Sequence, residues 1–275
     1  MSAATLIGII FGSLSIFGAF LWEGGKIDAL FMLPAMLIVF GGTFAAAIAG
    51  TSWEQFKKLP ILIKIAFFPK HYDTIEIINS IHKFAVRSRK EGILSLEEEL
   101  KRIKHPYLAK FLEVAIDGAD PETLDNIASL EISNLNERHN ENISLFTKMG
   151  GYSPTMGIIG TVMGLISTLA SAGSDPNVLI HHIASAFIAT MWGIFMANIV
   201  WLPIADKLRH LHTKEISQIN IIIEGIEALL IGENPYVIQA RLASALPIPA
   251  QKELLLGRTI NYAPAEIPKS EEQPE

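Results

Sequence analysis

The sequence predicts an all-α polytopic membrane protein with four transmembrane helices and a helical cytoplasmic domain. Three observations predict it. Four stretches carry no Asp, Glu, Lys or Arg: Ala4–Trp22, Ala29–Ala49, Tyr152–Ala172 and Ile180–Leu202, each 19 to 23 residues long. At about 1.5 Å per residue, that length crosses a hydrocarbon core roughly 30 Å thick. The basic residues are sorted by those stretches, and no alternating apolar run long enough for a strand occurs. Half of the 275 residues are hydrophobic and only 18% are charged, with a positive mean hydropathy. A fully soluble fold and a disordered chain are both excluded.

Span one, Ala4–Trp22, precedes the first basic residue, Lys26. With no basic n-region before it, this span is expected to stay in the mature protein. Span two, Ala29–Ala49, follows a short loop holding only Lys26. The segment from Gly50 to Gly151 then carries 14 Lys and Arg, and the chain after Pro203 carries 7. So 21 of 22 basic residues fall on one side of the spans, and the positive-inside rule makes that side cytoplasmic. Both termini are expected inside, in the inner (cytoplasmic) membrane of a cell.

The polar segments read as helices. Thr51–Lys70 is amphipathic and basic, suited to a membrane surface. Asp73–Lys90 repeats Ile75, Ile78, Ile81, His82, Ala85 and Val86 at helical spacing and stops at Glu91-Gly92, where glycine fits a left-handed cap. Ser95-Leu-Glu-Glu98 has the capping-box pattern that opens a helix. Asp120-Pro121 opens another, running to about Met149, and Asn234-Pro235 a short one. After span four a helix is expected to continue through Leu230. Five prolines in the polar residues from Pro247 onward predict a disordered tail. The expected organisation is spans one and two at 1–50, a cytoplasmic helical domain at 51–151, spans three and four at 152–204, C-terminal cytoplasmic helices at 205–246, and the tail at 247–275.

What the spans lack is informative. None contains an acidic or basic side chain; the ionisable groups nearest to membrane depth are His181 and His182 at the outer edge of span four, which read as neutral interfacial residues. Protons could cross here only with an acid from another chain. With no cysteine there is no disulfide, thiolate metal site or cysteine nucleophile, and no other catalytic or metal-binding motif stands out. A net charge of −6 gives no reason to expect nucleic acid as a partner. Span three repeats Gly157, Gly160, Thr161, Gly164 and Thr168, and span four carries Ser185, Ala189, Thr190, Gly193, Ala197 and Asn198. Small residues let membrane helices approach closely. Thr161 and Thr190 have two readings, hydrogen bonds between helices or an ion path. Pro154 and Pro203 free the carbonyls of Gly150 and Ile199, or simply mark helix ends.

The run Pro154-Thr-Met-Gly-Ile-Ile-Gly-Thr-Val-Met-Gly-Leu165, with Ala189-Thr-Met-Trp-Gly-Ile-Phe-Met-Ala-Asn198 and Leu202-Pro-Ile-Ala-Asp-Lys207, resembles the MotA-type flagellar stator subunit. Ser88-Arg-Lys-Glu-Gly-Ile-Leu-Ser-Leu-Glu97 resembles that family's cytoplasmic motif. The likeness covers residues 1–235 and implies an ion-driven motor, with no cofactor. It implies a homo-oligomer, a pentamer, around two copies of a MotB-type single-span subunit whose membrane aspartate binds the ion, and a cytoplasmic face that engages a FliG-type rotor switch protein. By motif position, Pro154 and Pro203 match functional prolines, Thr161 and Thr190 match hydroxyls facing the B-type helix, and Arg89 and Glu97 match rotor-contacting charges. Arg89 and Glu97 also complement helix dipoles, at the end of one helix and the start of the next. Some sodium-type relatives carry two consecutive threonines where this chain has Ala189-Thr190, which favours protons. The alternative is an ExbB/TolQ-like energiser of another envelope process.

Overall fold

The computed structural model describes residues 3–171, 173 and 175–259, and among them the ordered elements are all helices. We label them α1 (Ala3–Trp22), α2 (Leu33–Ala49), α3 (Leu59–Phe67), α4 (Thr74–Glu91), α5 (Pro106–Ile116), α6 (Pro121–Ala170), α7 (Pro176–Leu230), α8 (Pro235–Ala243) and α9 (Ile248–Thr259). Helices α1, α6 and α7 are long and apolar enough to cross a membrane, while α2 is shorter. It starts at Leu33 and not at Ala29 because Pro34, which has no N–H to donate, belongs in a helix's first turn. Ile27–Leu30 forms a separate turn before it.

The chain divides into two compact units. The first comprises residues 1–70 and 132–215. Its apolar helices meet at Ala35, Val39, Ala189 and Trp192. The Trp192 indole donates to the Leu30 carbonyl at 2.8 Å, which answers the one polar atom of a buried ring. A second cluster joins α2, α3, α6 and α7 through Ala47, Leu62, Ala66, Phe146, Met149, Trp201 and Ile204. Helix α3, expected on a membrane surface, thus buries Leu62 and Ala66 in protein while Ile61 and Ile65 stay exposed.

The second unit comprises residues 71–131 and 216–275. Helix α4 is capped by Asp73, which accepts from Ile75 N, and buries Ile77, Ile78, Ile81, Phe84 and Ala85. Gly225 of α7 lets Ile81 and Leu242 close in, since a Cβ there would lie 2.8 Å from Ile81 and 3.0 Å from Leu242. Asp120 and Asn234 cap α6 and α8 through Thr123 N and Tyr236 N, as their sequences predict.

Three local expectations are corrected. Gly92 has φ +82°, a value that favours glycine, but its ψ of 162° is extended, so the turn is not the left-handed cap. Ser95 opens no capping box: its hydroxyl donates back to the Gly92 carbonyl at 2.7 Å, inside a 3₁₀ turn over Ile93–Leu96. The tail expected to be disordered from Pro247 carries α9, because Pro249 sits in the first turn, where no backbone donor is needed. Residues 260–275 lie outside the described ones.

Candidate functional site

The paired apolar stretches of α6 and α7 hold the span residues singled out by sequence. Their backbones touch. A Cβ on Gly157 would lie 2.9 Å from the Ala189 carbonyl oxygen and 3.1 Å from Thr190 Cα, and one on Gly193 would lie 2.7 Å from the Ser153 carbonyl oxygen. Glycine is required at both positions by close approach. That approach brings Thr161 and Thr190 together. The Thr161 hydroxyl contacts the Ala186 carbonyl at 3.0 Å, the Gly157 carbonyl at 3.1 Å and the Thr190 hydroxyl. A hydroxyl has one proton, so when Thr161 donates to a carbonyl, Thr190 must donate to Thr161. The oxygen of Thr190 then keeps acceptor capacity in a half-buried position.

Both prolines lie inside continuous helices, not at helix ends. Pro154 is interior to the 50-residue α6. Pro203 follows a π-helical turn over Met196–Trp201, so a wide turn and a missing donor adjoin. The sequence signal for that turn is the proline itself, which leaves the Ile199 carbonyl without its α-helical partner. Pro203 also lines a cleft of about 500 Å³ with Thr5, Asn198, Asp206 and Lys207; Pro154 is not part of that lining.

On the polar stretches of the same two helices, the Nδ1 atoms of His139 and His212 lie 3.0 Å apart, and Glu215 is 3.9 Å from His139. Burial lowers the pKa of both histidines, and His139 is lowered further by the charges of His212 and Arg138. Burial raises that of Glu215 against the pull of Arg138. The pair is separated by 73 positions in sequence and carries no local signal. Among the described residues, no group of three His, Asp or Glu side chains is placed to hold a metal ion.

In the second unit, Arg89 and Glu97 are both exposed, in the last turn of α4 and the first turn of Glu97–Leu100. Neither makes an ion pair among the described residues. The cation that sequence reasoning missed is Arg87. It holds Glu91 at 3.0 Å, Glu99 at 2.8 Å and Glu98 at 3.5 Å, and its hydrogen bond to Glu91 leads in raising its pKa. The available signal was the Arg87–Glu91 spacing of four. This clamp braces the turn on which Arg89 and Glu97 are displayed.

Residues 99–221 match the MotA/TolQ/ExbB proton channel family, and residues 6–92 match the N-terminal region of Motility protein A. The chain is 33% identical to Motility protein A of Bacillus subtilis over 248 residues, 90% of this chain and 92% of that one. It is 34% identical to Motility protein A of Aquifex aeolicus, covering 92% of this chain and all of that one. The chain belongs to the MotA family of flagellar stator subunits. It is also 31% identical to the chemotaxis protein PomA of Vibrio alginolyticus, over 90% of this chain and 96% of that one. Two solved structures share its fold: Campylobacter jejuni MotAB, with a TM-score of 0.85 and 27% identity, and the Bacillus subtilis flagellar MotAB stator complex, with 0.84 and 32%. Each covers 90% of this chain and is itself 97% covered. This MotA-type chain is a membrane-embedded stator subunit of an ion-driven flagellar motor, in a family of proton channels and not of enzymes.

Proposed function

We propose that this chain couples proton flow to torque only together with a MotB-type single-span subunit that supplies a membrane aspartate. The observation that carries this reading is the absence of any Asp, Glu, Lys or Arg from the four apolar stretches. Burying such a charge is costly, so one that is needed there comes from a chain that can present it. The solved neighbours are MotAB structures, which supports such a partner. Thr161 and Thr190 are the hydroxyls that face the B-type helix, and Pro154 and Pro203 shape the moving interface. Helix α2, with Ile27–Leu30 before it, completes four spans. Residues 51–151 and 205–246 lie on the cytoplasmic side of the inner membrane with both termini, where Arg89 and Glu97 meet a FliG-type rotor protein. Five copies surround two B-type chains.

The test is reconstitution into vesicles under an imposed proton gradient. The chain alone should give no flux above a lipid control. Adding the aspartate-bearing partner should give flux, and replacing that aspartate by Asn should abolish it. Robust flux from the lone chain would end this reading. The match of residues 6–92 to the Motility protein A N-terminal region favours a flagellar load over an ExbB/TolQ-type one.

A further inference from the structure

We propose that His182 is a proton-loading residue at the outer end of the α6–α7 seam, a role that rests on the proton-coupled reading above. Its Nδ1 atom is shut off from solvent and has no hydrogen-bond partner. An unpaired ring nitrogen in an apolar setting is costly, and helix packing alone would be served by an apolar side chain. The residue stands one helical step of four before Ala186 and two before Thr190. Across the seam, a Cβ on Gly164 would lie 3.1 Å from the His182 carbonyl and 2.7 Å from Ala186 Cβ. One turn along from Gly164, Thr161 binds the Ala186 carbonyl and the Thr190 hydroxyl. The His182 backbone therefore heads the same line of contacts that ends in the threonine pair.

An imidazole suits that position because it can accept a proton on one nitrogen and release one from the other. Nε2, on the other side of the half-buried ring, takes a proton from the outer side and forms an N–H bond. The imidazolium then loses the proton of the sealed Nδ1 inward, leaving a neutral ring that resets by exchanging tautomers. One proton enters, one leaves, and no other bond changes. Eight residues separate His182 from Thr190, about 12 Å along a helix, so His182 acts at the entrance and not at the ion-binding step. Its ionisable neighbours are few. His181 is adjacent and exposed, its ring centroid 6.4 Å away. The apolar part of α6 opposite has no acid or base, and the two short connecting loops offer Glu23, Lys26, Asp28 and Asp175.

A loading residue matters most when protons are scarce outside. The experiment measures proton flux through the chain reconstituted with its aspartate-bearing partner, at fixed internal pH and membrane potential, as external pH is varied. His182→Gln should match the unsubstituted complex near pH 5.5 and fall about threefold or more near pH 8, while His181→Gln should follow the unsubstituted curve throughout. His182→Ala should show the same defect, and imidazole added to the external buffer should restore its flux. Superimposed curves for His182→Gln and the unsubstituted complex overturn the inference, as does an equal loss at every pH without rescue by imidazole. Flux carried by sodium overturns it too. An unsubstituted complex that conducts nothing would instead defeat the proton-coupled reading itself. Should His182→Gln fail to assemble, the imidazole rescue of His182→Ala decides, and absence of rescue overturns the inference.

Discussion

At the scale of single residues, the α6–α7 seam is governed by missing side chains. Gly157→Ala or Gly193→Ala would place a Cβ under 3.0 Å from a backbone oxygen of the facing helix, which cannot swing aside. Each should cost about 1–3 kcal/mol through overpacking. Gly18→Ala is the contrast, because nothing lies within 4 Å of its added Cβ. It should be neutral or stabilise by roughly 0.5–1 kcal/mol, as alanine does in a helix interior. Thermal unfolding of the purified protein in detergent separates the two classes. Thr161 offers a second test. Thr161→Val keeps the shape but leaves the Ala186 carbonyl and the Thr190 hydroxyl without that partner, a loss of about 1–3 kcal/mol. Thr161→Ser should retain most of the stability, and a valine variant of equal stability would show the hydroxyl to be dispensable for packing.

At the scale of elements, α7 carries a built-in irregularity. Pro203→Ala would return a donor to the Ile199 carbonyl and favour a regular helix by at most about 3 kcal/mol. Membrane abundance should survive while swimming speed falls; normal swimming would remove any conformational role for the proline. The polar stretches of α6 and α7 should also respond to acid. His139 and His212 have folded pKa values below the ordinary histidine value of 6.5. As pH falls below about 6.5, the unfolded chain binds protons first, and stability declines. Above that value their penalty is absent. The raised Glu215 works oppositely: its penalty is absent below about 4.5 and grows as pH rises through the folded value. Two histidines against one carboxylate predict a net loss of stability from pH 7 to pH 6. His139→Asn should flatten that part of the unfolding profile, and an unchanged slope would show that the pair does not titrate there.

At the scale of the whole molecule, the subunit has to work against a partner surface. Arg89→Glu or Glu97→Lys should impair swimming while the complex stays assembled, because both charges are exposed and outside the Arg87 clamp. Reversing an opposing charge on the rotor protein should restore much of the speed, since electrostatic complementarity selects which surfaces fit. Arg87→Ala is the structural control. It should loosen the turn and lower the thermal stability of the second unit, with a salt dependence, and no rotor substitution should rescue it. Loss of motility that tracks membrane abundance alone would return Arg89 and Glu97 to a role in the fold.

The apolar stretches of α1, α6 and α7, the caps at Asp120 and Asn234, and the missing membrane carboxylate were all legible in sequence. Each depends on composition or on chemistry within one helical turn. Tertiary structure decided the rest. Thr161 and Thr190, 29 positions apart, meet only because Gly157 and Gly193 let two backbones touch. His139 and His212 face each other across the same helices at a separation of 73, and Arg87 reaches past its predictable neighbour Glu91 to Glu99. Local rules also lost to context where they were short. Ser95 has the spacing of a cap but turns back to Gly92, and the proline pattern after Pro247 did not prevent α9. A cap or a charge-free run acts on its own turn of chain. Which side chains share a seam follows from how closely whole helices pack, and that is settled by contacts far apart in sequence.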